Sequence, residues 1–298
     1  MNVALALNWV EDTRSIFEQT LVDKLARFEG PSQPLNEALR YGLLEGGKRL
    51  RALLVLASGH AVGTPVQKLT DAACAIEAMH AYSLVHDDLP CMDNDVLRRG
   101  KPTCHVRFGE AFALLAGDAL QTTAFQWLAE SRQQESAVLL AQIRVLASAS
   151  GLMGMASGQA IDLAHVGRPM DLGALKHMHA RKTGDLIAAS VRMGYLSNPN
   201  ANPDDLRHLE VFAECLGLAY QTIDDILDVE STSEELGKTS GKDALQNKPT
   251  MVSLMGMQAA KQLLAELKHK AFDACEALDA QRNAPLLALA ELITNRKS

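Results

Sequence analysis

Two aspartate clusters, each closing an apolar helical run, constrain this chain more than any other feature of it. The first is His86-Asp87-Asp88 with Asp93 and Asp95 beyond it, after the run Ala75 to Val85. The second is Asp224-Asp225 with Asp228, after the run Val211 to Ile223. A single such cluster reads plainly as a solvated acidic face. Here the acids are embedded in apolar sequence, and they occur twice. Carboxylates that share a site without a counter-charge repel one another and resist desolvation. At a helix C-terminus they also oppose the helix dipole. The pattern therefore asks for a fold that gathers both clusters around a cation.

The rest of the chain supplies helices for such a fold. Aromatics make up only 4% of the 298 residues, while alanine and leucine dominate, which favours helix over strand. Three-four spacing recurs almost throughout, as in Leu209, Phe212, Leu216 and Tyr220, or Leu139, Ile143, Leu146 and Ala147. Breakers separate these faces at Gly30-Pro31, Gly63 to Pro65, Gly100 to Pro102, Gly167 to Pro169 and Asn198 to Pro203. Asn202-Pro203-Asp204 reads as an N-cap, a first-turn proline and a first-turn acid, and Asp171 as another N-cap. The expectation is one all-α domain over 1–298, a single-domain bundle of about ten helices. The polar stretch from Glu230 to Thr250 is long for an idle loop and stands where a closing lid is expected.

The 47% apolar and 22% charged balance excludes intrinsic disorder. A formal charge of −7 argues against non-specific nucleic-acid binding, although a bound metal or a local basic cluster reverses the sign locally. Cys74, Cys91, Cys104, Cys215 and Cys275 are scattered without a CxxC pair and read as reduced thiols. Met1 to Val10 lacks a basic n-region and runs into Glu11-Asp12, so no secretory signal is expected. No uninterrupted apolar run approaches the roughly 18 residues of a membrane span. The expected setting is cytoplasmic, with no stable membrane anchor and no nucleic-acid partner.

Spacing refines the acidic clusters. Asp224 and Asp228 are i, i+4 and share a face, with Gln221 one turn earlier. Asp87 and Asp93 are six residues apart, a spacing that puts them on different faces of a regular helix. Leu89-Pro90 lies between them, and a proline bend or bulge would return Asp93 to the side of Asp87. The donors are all hard oxygens, which favours Mg²⁺ over zinc. Because Mg²⁺ is held by few carboxylates plus substrate phosphates, the acids imply a phosphate ligand too.

Basic groups complete the pattern. In Gly46-Gly47-Lys48-Arg49-Leu50-Arg51, Lys48 and Arg51 share a face if a helix has begun, and the glycines allow close approach to a ligand. The plain alternative is a helix cap followed by a basic first turn. Arg98 and Arg99 either neutralise the acids or point to two different anions. His80 stands two turns before Asp87 on the same face, as a core histidine or a cavity group. Lys182-Thr183 and Lys238-Thr239 add cations, the second within the polar stretch. No catalytic triad, dinucleotide fingerprint, Walker motif or HExxH is present.

Ser83 to Asp95 with Arg98 to Thr103, and Gln221 to Asp228, resemble the two aspartate-rich motifs of the trans-isoprenyl diphosphate synthases, the first in its DDxxxxD form. Gly46 to Arg51, Gly158-Gln159, Lys182-Thr183 and Gly237-Lys238-Thr239 match further motifs of that family in order, from about Leu35 to Thr250. Asn94 and Val96 depart from it, and the segment after Thr250 matches less clearly. The resemblance implies an all-helical bundle around a deep central cavity, homodimeric, acting on prenyl diphosphates. It implies a magnesium cluster on Asp87, Asp88, Asp93, Asp224, Asp225 and Asp228. It places Arg98, Lys182, Thr183, Gln221 and Lys238 on the allylic diphosphate, with Lys182, Lys238 and Arg98 assisting its departure. It places Lys48, Arg51, His80 and Arg99 on isopentenyl diphosphate. Tyr82, five residues before Asp87 and so about 7.5 Å down a helix, resembles the bulky aromatic of enzymes that stop at farnesyl diphosphate, with small Ser83 beside it. A geranylgeranyl diphosphate synthase and a non-catalytic modulating subunit are the alternatives on the same fold. A terpene cyclase needs no second diphosphate site, and a helical metal-binding scaffold is the blandest reading.

Overall fold

The computed structural model describes residues 3–230 and 248–296. They form α1 (Val3–Ala26), α2 (Gln33–Leu44), α3 (Leu50–Ala61), α4 (Thr70–Asp87), α5 (Cys104–Phe108), α6 (Glu110–Ala129) and α7 (Ser136–Ser150). There follow α8 (Met155–Ala164), α9 (Leu172–His179), α10 (Asp185–Leu196), α11 (Pro203–Glu230), α12 (Met251–Met255), α13 (Met257–Glu276) and α14 (Ala284–Thr294). A two-residue hairpin, Leu97–Arg98 against Lys101–Pro102, is the sheet among the described residues. The all-helical expectation stands, with twelve helices longer than five residues among those described rather than about ten. Lys238, and the lid expected around it, lie outside the described residues.

Helix α4 is apolar on all sides, which marks an interior helix rather than an amphipathic surface one. Ala72 through Met79, with Ala81 and Val85, are buried, and α2, α3, α6 and α10 surround them. Helix α3 is buried from Arg51 through Gly59. The α3 and α10 backbones meet because Gly194 has no side chain. A Cβ there would stand 2.1 Å from Ser58 Oγ and 2.4 Å from the Val55 carbonyl oxygen. A second apolar layer, with Phe212, Leu216, Ala271, Leu286 and Ile293, joins α11, α13 and α14 to α3 and α10.

The expected caps are present. Asp171 accepts from the Ala174 amide at 2.8 Å, and Pro203 opens α11 after Asn202, whose side chain accepts from the Asp204 amide at 3.1 Å. The stretch 136–164 has the length and composition of a membrane span. Here it is two helices broken at 151–154, with α7 lying along α10.

Gly194→Ala forces α3 and α10 apart. Urea unfolding should show a loss of about 2 kcal/mol, in the range of overpacked cores. An unchanged midpoint would show that the contact yields freely.

Candidate active site

Helix α4 ends at Asp87, so the expected proline bend in a continuing helix is instead a stop followed by a tight return. The Leu89 carbonyl accepts from the amides of Met92 at 2.8 Å and Asn94 at 3.1 Å. Asn94 takes a left-handed conformation at φ 51°, one that asparagine tolerates. The Asp93 amide then donates to the Asp87 carbonyl at 2.8 Å, which returns Asp93 beside Asp87 as the spacing required. Asp88 takes another course. It is buried, and Arg98 holds both its oxygens, Nε at 3.0 and 2.8 Å and Nη2 at 2.7 Å. Asp88 does not line the cleft, so its place here is to anchor Arg98 rather than to face an ion.

The second cluster projects from the end of α11. Thr183 Oγ1 donates to Gln221 Oε1 at 3.1 Å, and Gln221 Nε2 donates to Asp224 Oδ2 at 3.4 Å. Arg296, beyond α14, donates to Asp224 Oδ1 and to the Tyr220 carbonyl. Asp225 is buried, accepts from the Met251 amide at 2.6 Å and lies 3.7 Å from His179 Nε2. Between α9 and α10 the helix widens into a π turn over Ala180–Gly184, a distortion common at functional sites. This turn carries Lys182, which reaches Asp162 at 2.6 Å. Lys248 lies between Asp93 at 3.5 Å and Asp162 at 3.7 Å. Burial opposes the Lys182 ammonium, yet Asp162 and Asp87 hold its pKa above the ordinary lysine value.

The basic segment differs from its expected form. Arg49 caps α3 with φ 50°, so Lys48 precedes the helix and shares no helical face with Arg51. Arg49 is instead structural, held by Glu18 at 2.7 Å, Glu77 at 3.3 Å and the Leu43 carbonyl at 2.8 Å. Arg99 and Arg98 do diverge. Arg99 turns to the carbonyls of Glu45 and Gly46, and a Cβ on Gly47 would strike its guanidinium at 2.7 Å. Arg51 Nη1 donates to His80 Nε2 at 3.0 Å, while Arg51 Nε and His80 Nδ1 are buried without a partner. Burial, followed by the charge of Arg51, pushes the His80 pKa well below its usual value and keeps the ring neutral. Burial is also the leading influence that lowers Lys48, with Arg296 next.

These groups surround one cleft of about 660 Å³. Asp87, Asp93, Asp224, Asp225 and Asp228 line it, as do Arg51, His80, Arg98, Lys182, Thr183, Gln221, Tyr82 and Ser83. Lys48 and Arg99 do not. Apolar wall comes from Met92, Met155, Met178 and Leu163. Among the described residues, no three carboxylate, histidine or cysteine side chains converge to cage an ion unaided. Carboxylate oxygens line the cleft, and hard oxygens suit Mg²⁺, which completes its octahedron with water and phosphate. Burial pushes Asp87 up to about 6, against the opposing pull of Lys182. A carboxylate so short of positive charge suits an incoming cation.

The polyprenyl synthetase family model matches residues 32–283, well past the Thr250 limit of the motif resemblance. The chain belongs to the polyprenyl synthetase family. Farnesyl diphosphate synthase of Escherichia coli is 46% identical over 280 residues, covering 91% of this chain and 94% of that one. Farnesyl diphosphate synthase of Haemophilus influenzae is 44% identical over 286 residues, covering 94% and 96%. A Helicobacter pylori geranyltransferase, solved with magnesium and isoprenyl diphosphate, superposes with a TM-score of 0.86 at 34% identity, over 96% of both chains.

Motif reading passed over Asp162, His179 and Lys248, which line the cleft, and Arg296, which bonds to the cleft residue Asp224. Gly158-Gln159 marked the right helix for Asp162. The other three carry no local signal.

The raised Asp87 value has a consequence for stability. Its folded pKa exceeds the unfolded one, so ionisation costs stability above pH 6, and the cost fades as pH falls towards 4. Asp87→Asn should therefore stabilise the ligand-free protein by up to about 3 kcal/mol at pH 7.5 and by nothing near pH 4. Thermal melts across that range check it. A variant less stable at pH 7.5 would contradict it.

Proposed function

We propose that this chain condenses isopentenyl diphosphate with dimethylallyl and then geranyl diphosphate, giving (E,E)-farnesyl diphosphate and pyrophosphate. The observation that carries the reading is the meeting of both acidic motifs, Lys182 and Arg98 in one cleft whose far wall is apolar. When bound, magnesium would neutralise the departing diphosphate and so permit ionisation of the allylic C–O bond. Asp87, Asp93, Asp224 and Asp228 are the carboxylates placed to hold it. Lys182, Thr183, Gln221 and Arg98 are placed to grip the allylic diphosphate, with Lys238 assigned there by motif alone. Arg51 and His80, with donors unmet, suit the second diphosphate, with Lys48 and Arg99 assigned there by motif alone. Met92, Met155 and Leu163 keep water from the carbocation. The accepting double bond needs only to be positioned. No side chain is required as base if pyrophosphate takes the proton.

Farnesyl rather than geranylgeranyl length is supported by Tyr82. Its ring lines the cleft and meets His86 edge-on at 5.3 Å, while Ser83 beside it turns its hydroxyl to the His80 carbonyl. A homodimer is supported by exposed apolar side chains at Val106, Leu114, Leu115, Leu152 and Met153, with Leu152 83% exposed. Five free thiols and the absence of disulfides among the described residues support a reducing, cytoplasmic setting.

Incubation with Mg²⁺, isopentenyl diphosphate and geranyl diphosphate should release pyrophosphate and yield a fifteen-carbon diphosphate. Asp87→Ala and Asp224→Ala should each lower turnover by a factor of about 100 or more while circular dichroism stays helical. Near-normal rates in either would remove the metal assignment. Tyr82→Ala should shift products beyond fifteen carbons, and an unchanged spectrum would take Tyr82 out of the floor.

A further inference from the structure

Arg296 reaches two cleft residues, Tyr220 and Asp224, from beyond α14. Its guanidinium lies 4.1 Å over the Tyr220 ring and donates through Nη2 to the Tyr220 carbonyl, at 2.9 Å, and to Asp224 Oδ1. The Arg296 side chain is 7% exposed against 35% for Asp224, and its Nε is buried without a partner. A long charged side chain is thus desolvated, and one N–H left unmet, to reach one carboxylate. Such an arrangement is costly unless the charge it meets needs it. Asp224 has that need, because it faces the same cleft as Asp87, Asp93, Asp225 and Asp228. An oxygen bonded to an arginine is not open to a divalent ion, and two cations so close to one carboxylate repel.

We propose that Arg296 is the resident counter-ion of Asp224 in the metal-free protein and that cation–diphosphate loading drives it off. Arg296 is then a positioning residue. It holds the second acidic motif in place before metal arrives and links the end of α14 to occupancy of the cleft. The inference rests on the reading of Asp224 as a metal-site carboxylate. A contact made only in the free state lowers affinity for whatever breaks it.

The test uses the full chain with inorganic pyrophosphate as probe. Pyrophosphate is titrated calorimetrically at fixed Mg²⁺, and melting is measured in EDTA and in Mg²⁺ plus pyrophosphate. Arg296→Gln should bind pyrophosphate roughly fivefold more tightly, the scale of a partly exposed ion pair. Arg296→Lys should stay near wild type. Arg296→Gln should melt below wild type in EDTA, and the gap should close with Mg²⁺ and pyrophosphate. An equal gap in both conditions makes Arg296 a plain structural prop and overturns the proposal. Weaker pyrophosphate binding by Arg296→Gln makes it a diphosphate ligand and overturns it equally. Wild-type binding that Asp224→Asn abolishes and Arg296→Gln leaves unchanged defeats this inference alone. Binding by Asp224→Asn equal to wild type defeats the metal reading of Asp224 and this inference with it.

Discussion

Crowded negative charge, enclosed on several sides, is the constraint that the rest of this fold answers. Carboxylates from the end of α4, from α8 and from the end of α11 share one partly dry cleft. None of those helices carries enough cations to neutralise them. The counter-charges come from elsewhere: Arg98 from the hairpin, Lys182 from the π turn, Lys248 from the approach to α12, Arg296 from beyond α14. They range from a local pair, Arg98 with Asp88, to Arg296 with Asp224, 72 residues apart. The bundle that brings them together is organised by α4, whose all-round apolar surface leaves it no stable place but the centre.

Much of this is legible in the chain because its signals are local. Helical period, caps at Asp171 and Asn202, and the two acid clusters need only neighbours in sequence. The divergence of Arg98 and Arg99 is local too, since adjacent residues at a turn leave it in different directions. What escapes is decided by tertiary burial or by one backbone angle. Asp87 and Asp88 are chemically identical in the sequence. One ends on the cleft and the other under the hairpin, because the helix stops between them. Lys48 loses its helical face through the left-handed turn at Arg49, which the ion pairs to Glu18 and Glu77 pin in place. Arg296 has no motif at all. Its signal exists only once α14 lies beside α11.

The same cleft brings together two kinds of surface. Polar side chains are linked by hydrogen bonds, as in the Thr183, Gln221 and Asp224 chain. Met92, Met155, Met178, Leu163 and Tyr82 line the cleft as well. Apolar side chains among the charged groups reduce the number of nucleophiles the cavity offers.

Helix α4 carries both kinds of group. Asp87 sits at its last turn and Tyr82 about 7.5 Å below at ~1.5 Å per residue, so their separation is a property of helix geometry. Because Ala72 through Met79 are packed on all sides, α4 cannot slide along its axis without breaking the core. A change of cavity shape along α4 would therefore come from its side chains rather than from backbone adjustment. One turn deeper on that helix stand Ala78 and Met79, wholly buried and either small or supple. Tyr82 is thus the bulkiest side chain that α4 presents to the cleft, above packing that is small or supple.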